Sequence, residues 1–289
     1  MSEDKVKVLY IAGFGRSGST ILGNILGEIE GLFHGGELNF IWEHNLMENR
    51  LCGCGASFDE CEVWGSVFER AFGGMERVDA REMTRLQNIG ARTRHVPLML
   101  SSRGRRTLAS RLGKYMARLG RLYRAIGEST NSRVIVDSSK MPSYGYTLGM
   151  APGVELYVVH LIRDPRAAAY SWLKEPRPDA DERSYMNRVN TLKSSLLWDV
   201  WNVSSEALWR GSPGRYMRLR YEDFVAEPQR AVGPYSTCWV RARAGSRSGH
   251  RSSASGRSSS GPDTRSRGTR TAFGAGRCGY GRTRNGSRG

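Results

Sequence analysis

The feature that most constrains this chain is the glycine-rich stretch GFGRSGST at residues 13–20, because of what flanks it. Residues 5–12 begin with alternation and become continuously apolar through Val6, Val8, Leu9, Tyr10 and Ile11. That pattern predicts a buried parallel strand. After the stretch, Ile21, Leu22, Ile25, Leu26 and Ile29 recur at helical spacing. Strand, glycine-rich loop and helix together make an anion-binding turn. Gly13, Gly15 and Gly18 let the backbone aim several N–H groups at one point, and the helix start adds the positive end of its dipole. Ser17, Ser19 and Thr20 add hydroxyl donors, and Arg16 adds a forked cationic donor. A loop for nucleoside triphosphates needs Lys where Ser19 stands, which argues against a kinase-like reading of the same layout.

Further strands are expected at residues 133–137, 154–162 and 216–219, with helices over 103–127 and 185–209. The alternation predicts an α/β fold, a P-loop-like parallel sheet with helices on both faces. Functional residues then gather where the strands end. Arg163 ends one strand, and Ser171 lies on the helix that follows, so the two are candidates for a second anion site. Pairing of Arg163 with Asp164 is the simpler alternative.

Two motifs, GRSGST (15–20) and LIRDPRAAAYSW (161–172), resemble those of sulfotransferases that use 3'-phosphoadenosine 5'-phosphosulfate. The likeness extends through VDSSKMP (136–142) and LRYEDF (219–224) and covers roughly residues 5–232, nearest in character to bacterial, carbohydrate-sulfotransferase-like members. It implies that Gly15, Arg16, Ser17, Gly18, Ser19 and Thr20 hold the 5' end of that co-substrate, and that Arg163 and Ser171 hold its 3'-phosphate. It also implies transfer of a sulfuryl group to an acceptor hydroxyl or amine, with no metal required. Arg16 and the loop are placed to neutralise charge on the leaving phosphate. Glu37, in GGEL (35–38), returns to the active face and is the candidate base, with His34 as its rival. Lys140 either contacts nucleotide or acceptor or is a surface lysine. His160, inside an apolar strand, is expected to be a satisfied core histidine, and Trp198, Trp201 and Trp209 are expected in the core.

Cys52, Cys54 and Cys61 lie close in sequence. Plain thiols are favoured there over a disulfide or, with His44, a structural metal, because Cys-x-Cys is tighter than the usual zinc spacing. The helix over 103–124 carries eight basic residues and no acid. A solvated cover is expected, with peripheral membrane contact as the alternative. The N-terminus lacks the basic start and longer apolar core of a signal peptide, and no run is long enough to span a membrane, so a cytoplasmic location is expected.

The chain's formal charge of +16 is unevenly spread. Residues 241–289 contain 12 Arg, one acid, 11 Gly and 10 Ser. So few apolar groups predict a disordered basic tail, residues 233–289, behind a domain of residues 1–232. The resemblance also stops near residue 232, where relatives would continue with a helix and a His…Gly-Asn-Pro segment. Shifting the codon register by one position allows residues 263–288 to be re-read as such a segment, so the tail reads as an out-of-frame product. The rival reading is an RNA or polyanion binder. No nucleic-acid partner is expected of the domain itself, and the acceptor is not legible.

Overall fold

The computed structural model describes residues 5–173 and 191–238. In chain order, β1 (Val6–Gly13), α1 (Ser19–Gly27) and β2 (Leu32–Gly36) lead into a short 3-10 turn, Leu38–Phe40, and a π-helical segment, Ile41–Met47. Next come α2 (Glu62–Phe72), α3 (Ala80–Gly90), α4 (Val96–Leu100) and α5 (Ser102–Ser129). β3 (Val134–Lys140), α6 (Pro142–Gly149), β4 (Val154–Ile162) and α7 (Pro165–Leu173) follow. The last described elements are α8 (Thr191–Trp209), β5 (Tyr216–Arg220), α9 (Tyr221–Ala226) and α10 (Pro228–Cys238).

The five strands pair in the order β2-β3-β1-β4-β5, all parallel. β1 is central and buried on both sides, as its apolar run requires. Val8, Tyr10 and Ala12 face one core, shared with α2, α3, α5 and α6. Leu9 and Ile11 face the other, shared with Leu22 and Leu26 of α1 and Phe224 of α9. Helices therefore cover both faces, in agreement with the sequence expectation. Burying each such aliphatic side chain contributes roughly 1.5–3 kcal/mol. Because the strands are parallel, all five release their chains at one edge. The chain goes from β1 out to β2 and later crosses to β4, so the strand order reverses at β1, directly under the glycine-rich loop.

Strand β2 was not anticipated. Its five residues, Leu32, Phe33, His34, Gly35 and Gly36, are all buried, but only Phe33 is a strong strand former. It forms because β3 offers it a ladder, with Leu32 opposite Val134 and His34 opposite Val136. α5 matches the expected basic helix. Leu108, Leu112, Tyr115, Leu119, Leu122 and Ile126 are buried, while Arg103, Arg105, Arg106, Arg111, Lys114, Arg121 and Arg124 are exposed. Among the described residues, no helix is long and apolar enough to cross a membrane. The expected start of the helix over 185–209 falls partly outside the described residues, as does the basic tail from residue 239 onward.

α1 packs on β2 through Gly23. A Cβ there would stand 2.3 Å from Nε2 of His34. The imidazole is held on both sides, Nδ1 by Asn24 Oδ1 at 3.2 Å and Nε2 by Ser138 Oγ at 3.1 Å. Replacing Gly by Ala in a helix gains up to about 1 kcal/mol from propensity, but the methyl has no room and overpacking costs roughly 1–3 kcal/mol. Gly23→Ala is therefore expected to lower the urea midpoint of unfolding. An unchanged midpoint would mean that the His34 ring moves aside.

Candidate active site

The glycine-rich loop leaves β1 at Gly13 and enters α1 at Ser19. Gly18 sits at φ 88°, in the left-handed region, and a Cβ there would meet the Tyr221 ring at 2.4 Å. Arg16 also sits in that region, at φ 66°, a rare and strained choice for a residue with a side chain. Gly15 is packed under Trp172, where a Cβ would lie 2.8 Å from the indole. The Arg16 guanidinium lies over that same indole, 5.1 Å from its centroid. Ser17 and Ser19 are buried, whereas Arg16 and Thr20 are exposed.

The second expected site joins the first. Arg163, at the end of β4, donates from Nη1 to the carbonyl of Arg16 at 2.8 Å. Its guanidinium stacks over Tyr221, 4.5 Å from the centroid. It does not pair with Asp164. Asp164 instead binds Arg166, at 2.8 Å, and that hydrogen bond holds its carboxyl below the usual carboxylate range. Asp164 N–H donates to Glu222 Oε1 at 3.0 Å, tying the start of α7 to α9. Ser171 is half-buried on α7, next to Trp172.

Two of the tryptophans expected in the core serve this site. Trp198 and Trp201 are half-buried and pack on Phe14, Ala168 and Trp172. Trp198 Nε1 donates to the Arg163 carbonyl at 3.0 Å. Only Trp209 lies in the main core. The sequence showed three Trp at helical spacing, but not that two of them would stand behind the anion loop.

Three buried side-chain donors of these elements have no partner among the described residues: Ser17 Oγ, Arg163 Nε and Trp172 Nε1. A buried donor left unmade costs about 1–3 kcal/mol, so it signals a missing acceptor. Oxygens of anionic groups satisfy that requirement. The residues present therefore fit a phosphate- or sulfate-bearing ligand.

A second cluster stands at the ends of β2 and β3. Glu37 Oε1 and Lys140 Nζ form an ion pair at 2.5 Å. Lys140 is buried, not the surface lysine considered from sequence, and its backbone is held at φ 67°. Lys140 Nζ also donates to the Ser138 carbonyl at 3.0 Å. Asp137 fixes this strained turn. It accepts from Ser139 N–H at 2.9 Å, from Ser139 Oγ, and from Tyr123 Oη at 2.5 Å. Ser139 Oγ in turn accepts from Asn39 N–H at 2.9 Å, which binds the turn to the chain just after Glu37. Burial pushes the Asp137 carboxyl up to about 6, with the Ser139 and Tyr123 hydrogen bonds opposing that shift.

His34 does not rival Glu37. It is buried beneath α1 with both ring nitrogens engaged, and burial, with the Lys140 charge, lowers it to about 4. His160 is a satisfied core histidine, bonded to Tyr216 Oη and Asn202 Oδ1 at 2.8 Å each. Beside the Glu37 cluster opens a cavity of about 300 Å³, lined by Asn39, Phe40, Glu43, Gln87, Arg92 and Met141 among others. Asn39 Oδ1 is buried and unpartnered at its wall.

A parallel α/β sheet that presents a glycine cradle and an arginine at adjacent strand ends defines a protein that binds anionic groups. The chain belongs to the sulfotransferase family, whose profile matches residues 9–233. Among solved structures it is similar to the sulfotransferase domain of the Synechococcus PCC 7002 olefin synthase, at 16% identity and TM-score 0.44, over 80% of this chain and 72% of that one. It is also similar to the sulfotransferase domain from the curacin biosynthetic pathway, at 17% identity and TM-score 0.45, over 81% of this chain and 74% of that one. No curated protein matches the chain significantly.

Proposed function

We propose that this protein transfers a sulfuryl group from 3'-phosphoadenosine 5'-phosphosulfate to an acceptor hydroxyl or amine. The observation that supports it most is the hydrogen bond from Arg163 to the carbonyl of Arg16, with Ser17 Oγ and Arg163 Nε both buried and unpartnered. One arginine thus ties the loop suited to the 5' end to the strand end suited to the 3'-phosphate.

When bound, the co-substrate supplies an activated sulfuryl group. The loop N–H groups, Arg16, Ser17 and Thr20 neutralise charge growing on the departing 5'-phosphate. Arg163 and Ser171 hold the 3'-phosphate. Glu37 takes the proton from the acceptor atom as its bond to sulfur forms. Lys140, 2.5 Å from Glu37, orients that carboxylate. The acceptor enters by the cavity beside Asn39 and Phe40.

The basic tail, which lies beyond the family match ending at residue 233, is read as an out-of-frame product, with a natural basic extension as the alternative. Calorimetric titration with adenosine 3',5'-bisphosphate in EDTA tests both points, on this chain and on a frame-corrected one. Binding by both upholds the function and shows that the tail is tolerated. Binding by the corrected chain alone means that the scaffold is right and this sequence encodes a damaged enzyme. Binding by neither rejects the co-substrate.

A further inference from the structure

Cys52, Cys54 and Cys61 lie away from the anion loop and take no part in the proposed reaction. Their three sulfurs stand within 4.8 Å of one another. Cys54 Sγ and Cys61 Sγ are 3.7 Å apart. A disulfide requires about 2.05 Å. Two thiolates at a tetrahedral zinc, each about 2.3 Å from the metal, stand about 3.8 Å apart. We propose that these three cysteines bind one zinc ion as thiolates, with a water in the fourth position.

The local chain is built to present them. Cys52 N–H donates to the Ala56 carbonyl at 2.8 Å, and Gly55 N–H donates to the Cys52 carbonyl at 2.9 Å. Gly55 takes φ 95°, and a bridge between Leu51 and Ser57 closes the loop. This knuckle turns Cys52 and Cys54 toward the same point, so the Cys-x-Cys spacing, unpromising in sequence, is reconciled by the turn. Cys61 arrives from the other side, immediately before α2, and the positive end of that helix favours thiolate there. Cys52 and Cys61 are buried in the main core with Phe58 and Trp64, while Cys54 is exposed and leaves the fourth position open to solvent. His44, the fourth ligand considered from sequence, is instead stacked on Phe40 with centroids 4.4 Å apart.

Zinc replaces the thiol protons, so up to three are released and the complex carries one net negative charge. The ion staples residues 52–61, which join the π-helical segment after Glu37 to α2. It fixes that connection and does not take part in the chemistry.

The test uses the full chain, purified in a phosphine reductant without chelator, in a background carrying Cys238→Ser and Cys278→Ser. Elemental analysis is expected to find one zinc per chain, and cobalt(II) is expected to give a thiolate-to-metal charge-transfer band. Cys54→Ser, at an exposed position that leaves the core intact, is expected to weaken zinc affinity by at least ~10-fold and diminish that band. Zinc should raise the melting temperature of the parent more than that of the variant. A folded parent that takes up neither metal overturns the proposal. So does a cobalt spectrum unchanged by Cys54→Ser, or a Cys54–Cys61 disulfide that persists in the reductant.

Discussion

Glu37→Gln is expected to lower turnover by about 10²–10⁴-fold, the range for loss of a positioned general base. Affinity for adenosine 3',5'-bisphosphate is expected to stay nearly unchanged, because Glu37 stands at the end of β2 while the anion loop follows β1, with β3 between them. The amide keeps the size of the carboxylate but cannot take a proton. It also replaces the ion pair with Lys140 by a hydrogen bond to a neutral amide oxygen, which leaves a buried ammonium without its counter-charge. A second variant separates the two effects. If Glu37 served only as the counter-ion of Lys140, Lys140→Met would lose as much activity and the double variant would lose no more. If Glu37 is the base, Lys140→Met retains more activity than Glu37→Gln. Unchanged turnover in Glu37→Gln would remove the assignment altogether.

Much of this site was legible because its elements announce themselves locally. The run Val6–Ile11, the glycines at 13, 15 and 18, and the helical period from Ile21 each follow from near neighbours. The pairing of Arg163 with the Arg16 carbonyl joins residues 147 positions apart, and no local pattern encodes it. The same holds for β2. Its strand character comes from the ladder that β3 supplies, and its His34 is placed by Gly23 in the preceding helix. His34 looked like a rival base only while its burial was unknown. Lys140 was ambiguous for a related reason, since a lysine after a strand is ordinarily solvated. Here Asp137, Ser139 and Asn39 hold the turn so that the ammonium points inward to Glu37. The aromatic wall was the least legible part. Tyr221 sits in the quoted LRYEDF motif, but its ring gains meaning only when Gly18 and Arg163 are seen against it.

Arg163→Ala is expected to weaken adenosine 3',5'-bisphosphate binding by roughly 30–1000-fold, or about 2–4 kcal/mol, the scale for truncating one member of a desolvated charge pair. Part of that loss comes through the loop. The truncation removes the donor that holds the Arg16 carbonyl and the cation stacked on Tyr221. The ligand series distinguishes positioning from direct recognition. Adenosine 5'-monophosphate lacks the 3'-phosphate but still needs the loop. If Arg163 contacts the 3'-phosphate, the alanine change costs the bisphosphate far more than the monophosphate. Arg163→Lys then restores only part of the difference, because an ammonium keeps the charge but loses the planar fork and its Nε donor. Equal losses for both ligands would mean that Arg163 acts solely by fixing the loop through the Arg16 carbonyl. The unpartnered Nε would then have to be explained by a ligand other than a 3'-phosphorylated nucleotide.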